Sequence, residues 1–134
     1  VNNWVKLLVG QVGWFKVGLE LFTAAGPDVV KLVKDSGIKC FLDLKFHDIP
    51  NTVSGAVRSA VRLKADMMTI HISGGAEMIR SALKAAREEA LSCELKAPRI
   101  IGVSMLTSKP GRSRRYRSTN PCKRACHEPD YTGM

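Results

Sequence analysis

The sequence predicts an α/β fold built on a parallel sheet, and three observations carry that prediction. Apolar, β-rich runs recur at residues 12–18, 38–46, 67–73 and 99–106. Segments with helical spacing of apolar residues separate them, so strand and helix alternate with a repeat of roughly 27 to 33 residues, the rhythm of βα units. The second run ends in the charges Asp43, Lys45 and Asp48, at the carboxyl end of a strand, where α/β folds keep their chemistry.

Each element has its own signal. Trp4, Leu7 and Leu8 read as the end of a helix that precedes the first strand. Val29, Val30, Leu32 and Val33 form a short apolar stripe that stops at Ser36 and Gly37, a helix end followed by glycine. After the second strand, Pro50 removes a ladder donor and turns the chain out of the sheet. Val53, Val57, Ala60 and Val61 make the next stripe, opened by Pro50 with Asn51 and Thr52 as candidate caps. Ser73, Gly74 and Gly75 read as the turn into a third helix rather than as an anion-binding nest. In that helix Met78, Ile79, Ala82, Leu83 and Ala86 form the apolar side, and Arg80, Lys84, Arg87 and Glu88 a solvated one.

Composition narrows the function classes. A chain of 134 residues can bury one real core, but it is far shorter than the roughly 250 residues of an eight-stranded α/β barrel. It contains no run of 18 apolar residues, which argues against a membrane span. Its amino end has neither a basic region nor a long apolar stretch, so it does not read as a secretory signal. The first residue is Val1 rather than methionine, and the expectation is a sequence that begins inside a longer one. The formal net charge is +9, but its distribution matters more. Residues 1–107 hold 14 Lys or Arg against 10 Asp or Glu, while residues 108–134 hold 7 against 2. The body is mildly basic, as suits a phosphate-bearing substrate. Four cysteines are too few and too scattered for a disulfide framework. Cys122, Cys126 and His127 have the wrong spacing for haem attachment and no second ligand pair for zinc. No metal is expected, and reduced thiols point to the cytoplasm.

The segment from Phe41 to Thr52 carries the chemistry. On a regular strand Asp43 and Lys45 share one face, and Leu42, Leu44 and Phe46 the other. Opposite charges on an apolar strand are costly to bury unless they are paired. Lys16, near the end of the preceding strand, can reach Asp43 from the other side. Lys16, Asp43, Lys45 and Asp48 together make an alternating cation–anion array without net charge. Within it the Lys45 ammonium is both a compact positive charge and a proton donor. His71 reads as a hydrogen-bonded structural residue, and His47 as lying away from the charges.

Asp43, Lys45 and Asp48, followed by Ile49, Pro50, Asn51 and Thr52, resemble the signature of the orotidine 5′-phosphate decarboxylase family. Residues 15–22, Gly26 with Pro27, residues 70–75 and residues 103–108 agree with that family in order and spacing. The resemblance runs from about Gln11 to Ser108. It implies a partial (β/α)8 TIM barrel comprising strands 2 to 5, and conversion of orotidine monophosphate to uridine monophosphate without metal or organic cofactor. It implies that Lys45 donates the proton, that Asp43 lies beside the substrate carboxylate, and that Lys16 also contacts the sugar. Residues Asp48, Ile49, Pro50, Asn51 and Thr52 would border the substrate, with Asp48 and Thr52 supplied across a homodimer interface. Thr107 matches a further substrate contact. The family's ribose-binding aspartate would precede Val1, and its phosphate-gripping residues would follow Ser108.

The character of the chain changes after Ser108. Residues 109–134 lack apolar periodicity and cannot bury enough surface to fold alone. Residues 1–108 are therefore expected to be the barrel portion and residues 109–134 a disordered basic tail, one explanation of which is a lost reading frame. An alternative is a nucleic-acid-binding protein acting through that tail, although Tyr116 is the only aromatic among residues 109–124. Magnesium-dependent sugar-phosphate relatives sharing the Asp43, Lys45, Asp48 spacing lack the surrounding residues 46–52, and an inactive fragment completes the set of readings.

Overall fold

A computed structural model of the chain describes residues 2–105. The elements run α1 (Asn2–Leu8), β1 (Trp14–Gly18), α2 (Leu19–Ala25), α3 (Asp28–Asp35), β2 (Lys39–Phe46), α4 (Pro50–Arg62), β3 (Met67–His71), a 3-10 turn (Ile72–Gly74), α5 (Gly75–Ser92) and β4 (Arg99–Val103). The strands form one parallel sheet in chain order, β1-β2-β3-β4. This is the arc of βα units expected for part of an eight-stranded barrel.

Period-two alternation decides which face of the sheet is covered. Val17, Cys40, Leu42, Met68 and Ile70 are buried in one cluster with Val29, Val30 and Val33 of α3. The same cluster takes in Val53, Val57, Ala60 and Val61 of α4, and Met78, Ala82, Ala85, Ala86 and Ala90 of α5. Burying each such valine is worth roughly 1.5 kcal/mol or more, so the helices are held by this one face. The opposite face carries Trp14, Lys16, Phe41, Asp43, Met67, Thr69 and Ile101, and leaves Trp14 and Ile101 exposed.

Two polar ties fix the outer layer. The Asp66 carboxylate accepts from Lys34 Nζ at 2.6 Å and from the Cys40 amide at 2.7 Å, joining α3 to the start of β2. Arg58 of α4 reaches Glu88 at 2.8 Å and Glu89 at 3.4 Å, and Arg62 reaches Glu89 at 2.7 Å.

Several expectations are corrected. Glu88 is thus an inter-helix partner, not simply part of a solvated face. Asn51 and Thr52 do not cap α4: Ile49 occupies the cap position without a side-chain bond and Pro50 stands in the first turn, where its missing N–H costs nothing. Leu83 is exposed, and Ala85 and Ala90 take the buried positions instead. In α1 it is Val5 that is buried, while Trp4 and Leu7 face outward. Strands β3 and β4 end at His71 and Val103, earlier than the apolar runs suggest.

Candidate active site

Lys16 on β1 and Asp43 on β2 meet because the two strands pair in parallel, with Gly18 opposite Asp43. Lys16 Nζ lies 3.2 Å from Asp43 Oδ2, and Lys45 Nζ lies 2.9 Å from Asp43 Oδ1. Asp43 is the most enclosed of the three: its side chain retains 13% exposure, against 35% for Lys45 and 59% for Lys16. Burial alone pushes the Asp43 carboxyl up, but hydrogen bonds from Lys45, Thr69 and Lys16 outweigh it and hold the group below the usual carboxylate range.

The route to this pairing is not the regular strand expected from alternation. Lys45 has φ of 54°, a left-handed conformation that costs a non-glycine residue roughly 1–3 kcal/mol. Leu42 pairs with Met68 but Phe46 pairs with Ile70, so β2 spends four residues where β3 spends two. The strict two-face division of Leu42, Leu44 and Phe46 from Asp43 and Lys45 fails at this irregularity. Leu44, Lys45, Phe46, His47 and Asp48 all border one open cavity of about 290 Å³, with Thr52, Val53 and Ala56 of α4 opposite.

The irregularity is filled by a residue that sequence reasoning missed. Thr69 is 3% exposed and is the one buried polar residue among those described. Its Oγ1 accepts the Lys45 amide N–H at 2.9 Å and donates to Asp43 Oδ1 at 3.0 Å. The available signal was a lone hydroxyl between the apolar neighbours Met68 and Ile70, since buried hydroxyls require partners.

The remaining site candidates divide. Asp48 is exposed, and its Oδ1 accepts the neighbouring Ile49 amide at 2.6 Å. Its carboxylate makes no ion pair among the described residues, so it stands apart from the Lys16, Asp43, Lys45 group. Ile49, Asn51 and Thr52 are exposed and Pro50 half-buried, at and just inside the start of α4. Thr107 lies outside the described residues, as do Cys122, Cys126, His127 and the basic tail on which the nucleic-acid reading rests. His71 is corrected: among the described residues its ring is packed 5.1 Å from that of His47 rather than held by a hydrogen bond. Ser73, Gly74 and Gly75 do form the turn into α5, and Gly75 needs its glycine at φ of 84°.

Among the described residues no group of three His, Cys, Asp or Glu side chains could hold a metal ion, and no helix is long and apolar enough to cross a membrane. Cys40 is fully buried, and burial followed by the nearby Asp66 charge pushes its thiol up to about 11, so it remains protonated. The site can therefore offer one enclosed carboxylate, two ammonium groups and an open cavity beside them.

Comparison with known proteins bears on what this arrangement does. The sequence profile of the orotidine 5′-phosphate decarboxylase / HUMPS family matches residues 1–127. The chain is 58% identical over 101 residues to the orotidine 5′-phosphate decarboxylase of Nitratidesulfovibrio vulgaris (strain DP4), covering 75% of this chain and 43% of that relative. An uncharacterized conserved protein from Geobacillus kaustophilus superposes with a TM-score of 0.75 and 38% identity, over 82% of this chain and 51% of that one. The orotidine 5′-phosphate decarboxylase of Lactobacillus acidophilus gives 0.69 and 36%, over 79% and 49%. The chain thus spans about half the length of the proteins it matches, or less.

Proposed function

The chain belongs to the orotidine 5′-phosphate decarboxylase / HUMPS family, and from that premise we propose that it carries the reacting centre for decarboxylation of orotidine 5′-monophosphate to uridine 5′-monophosphate, in pyrimidine nucleotide synthesis. The observation that carries this reading is the Asp43 carboxylate held between Lys16 and Lys45. Loss of carbon dioxide breaks a carbon–carbon bond and leaves the electron pair on a ring carbon. Lys45 lowers the energy of that developing charge and then supplies the proton that replaces the carboxylate. Asp43 fixes the ammonium and lies beside the departing group, and Lys16 balances Asp43 and reaches the sugar.

Asp48 and Thr52 act, in this reading, on the site of a partner subunit. The exposure of Asp48, with no cation of its own chain in contact among the described residues, supports the assignment. Ile49, Pro50, Asn51 and Thr107 complete the substrate border. Residues 1–108 constitute the barrel portion and residues 109–134 a separate basic tail. The free cysteines Cys40 and Cys93 support a reducing, cytoplasmic setting, and no cofactor is required.

Grafting residues 2–105 over the matching stretch of the Nitratidesulfovibrio vulgaris relative tests the assignment. The graft should consume orotidine monophosphate in the presence of a chelator, and Lys45→Ala should lower kcat by about a thousandfold or more. Activity lost to the chelator and restored by magnesium would exclude this reaction. Mixing Asp48→Asn grafts with Lys45→Ala grafts should restore turnover, because one site of each mixed dimer then has both residues. No recovery after demonstrated subunit exchange would place Asp48 in its own subunit's site.

A further inference from the structure

We propose that Thr69 is a positioning residue that sets the Asp43–Lys45 pair by bonding the backbone of one and the carboxylate of the other. The inference deepens the reading of Lys45 as the reacting cation and rests on it. Its own evidence is the geometry of the β2–β3 seam. Between the pairs Leu42–Met68 and Phe46–Ile70, β2 places Asp43, Leu44 and Lys45 opposite the single residue Thr69. A ladder interrupted in this way leaves strand amides without their regular carbonyl partners. The Lys45 amide is satisfied instead by Thr69 Oγ1 at 2.9 Å.

A hydroxyl has one proton to give and lone pairs to accept with. With the Lys45 N–H as donor on one side, the Thr69 proton is free for Asp43 Oδ1, at 3.0 Å. That same oxygen receives Lys45 Nζ at 2.9 Å. The result is a closed circuit: backbone of Lys45 to Thr69, Thr69 to Asp43, Asp43 to the ammonium of Lys45. The circuit holds Lys45 in its left-handed backbone conformation and places its head group at the same time. The β-branch of threonine restricts χ1, and the 3% exposure of Thr69 removes water as a competing partner. Serine can complete the circuit; valine has the shape without either bond.

Isotope-labelled 134-residue chains with Thr69, Thr69→Ser and Thr69→Val test the proposal by NMR. One readout is hydrogen-exchange protection of the Lys45 amide, referenced to Val17 and Leu42. The other is the titration midpoint of the Asp43 side-chain carboxyl, which faces Lys16, Lys45 and Thr69. Thr69→Val should leave Val17 and Leu42 protected, lower Lys45 protection at least tenfold, and raise the Asp43 midpoint; Thr69→Ser should restore both. A residue that merely fills space would move neither. Unchanged Lys45 protection and an unchanged Asp43 midpoint in Thr69→Val overturn the proposal. Should that variant unfold, the Thr69 chain alone decides. Agreement is a Lys45 amide protected with the strand and an Asp43 titrating below the ordinary carboxylate value, about 3.9; a Lys45 amide exchanging as fast as that of exposed His47, or Asp43 titrating at that ordinary value, overturns it. None of these measurements involves turnover, so failure of the decarboxylase reading and failure of this one are separable.

Discussion

Asp43 is where the charges of the site converge, and its protonation is the simplest handle on them. Its carboxyl is held below the usual range by Lys45, Thr69 and Lys16 against the opposing effect of burial. A depressed folded-state value means that this residue stabilises the fold above the ordinary carboxylate value, about 3.9. The contribution is lost as pH falls through the lower folded value. Resistance of the chain to urea should therefore fall as pH drops from 5 towards 3. Asp43→Asn should be less stable at pH 7 and show a shallower pH dependence; an unchanged slope would remove Asp43 from the set of titrating stabilisers. The charges themselves were legible in the sequence, since Asp43 and Lys45 interrupt an otherwise apolar strand. Thr69 was not read, because its partners lie 24 and 26 positions away and come into reach only through the β2–β3 register. The left-handed backbone of Lys45 was hidden for the same reason: nothing local to lysine asks for it.

At the scale of elements, apolar spacing located each strand and all the longer helices, and failed mainly at their ends. The glycine stop of α3 was visible: Gly37 has φ of 80°, as expected of a residue just past a helix. Just past the ends of α4 and α5 the left-handed residue is instead Lys64 at φ of 61° and Glu94 at φ of 55°, positions that no composition rule marks. Glycine adopts that conformation without the Cβ clash, so Glu94→Gly should raise stability by about 0.5–1 kcal/mol. The same measurement has a destabilising counterpart. Asp66 bonds both Lys34 and the Cys40 amide, and its loss leaves the amide and the ammonium without that partner. Asp66→Ala should cost about 2 kcal/mol, the scale of hydrogen bonds to a charged group, with the far-ultraviolet circular dichroism retained. A loss within experimental error would show that the tie between α3 and β2 is dispensable. Neither change touches the Lys16, Asp43, Lys45 group, which separates stability from chemistry.

At the scale of the whole molecule, the two faces of the sheet have different fates. One is buried under α3, α4 and α5; the other presents Trp14 at 37% and Ile101 at 42% exposure beside the charged site. In a closed eight-stranded barrel that second face is a packed interior. Among the described residues Thr69 on this face is buried but Trp14 and Ile101 are left exposed, and β1 and β4 each have an unpaired edge. Unpaired edges favour association with other chains, and water reaching the open face screens the Lys45 charge. The 134-residue chain on its own should therefore show little decarboxylation and should self-associate. Sedimentation velocity together with loss of orotidine monophosphate absorbance measures both properties. Turnover by a cooperatively folded, monodisperse chain at a rate near that of the Nitratidesulfovibrio vulgaris relative would mean that the open face is closed in solution and that the described strands suffice for catalysis. Low turnover from the chain combined with high turnover from the graft would place the reacting groups here and the conditions for their use in the remainder of a barrel.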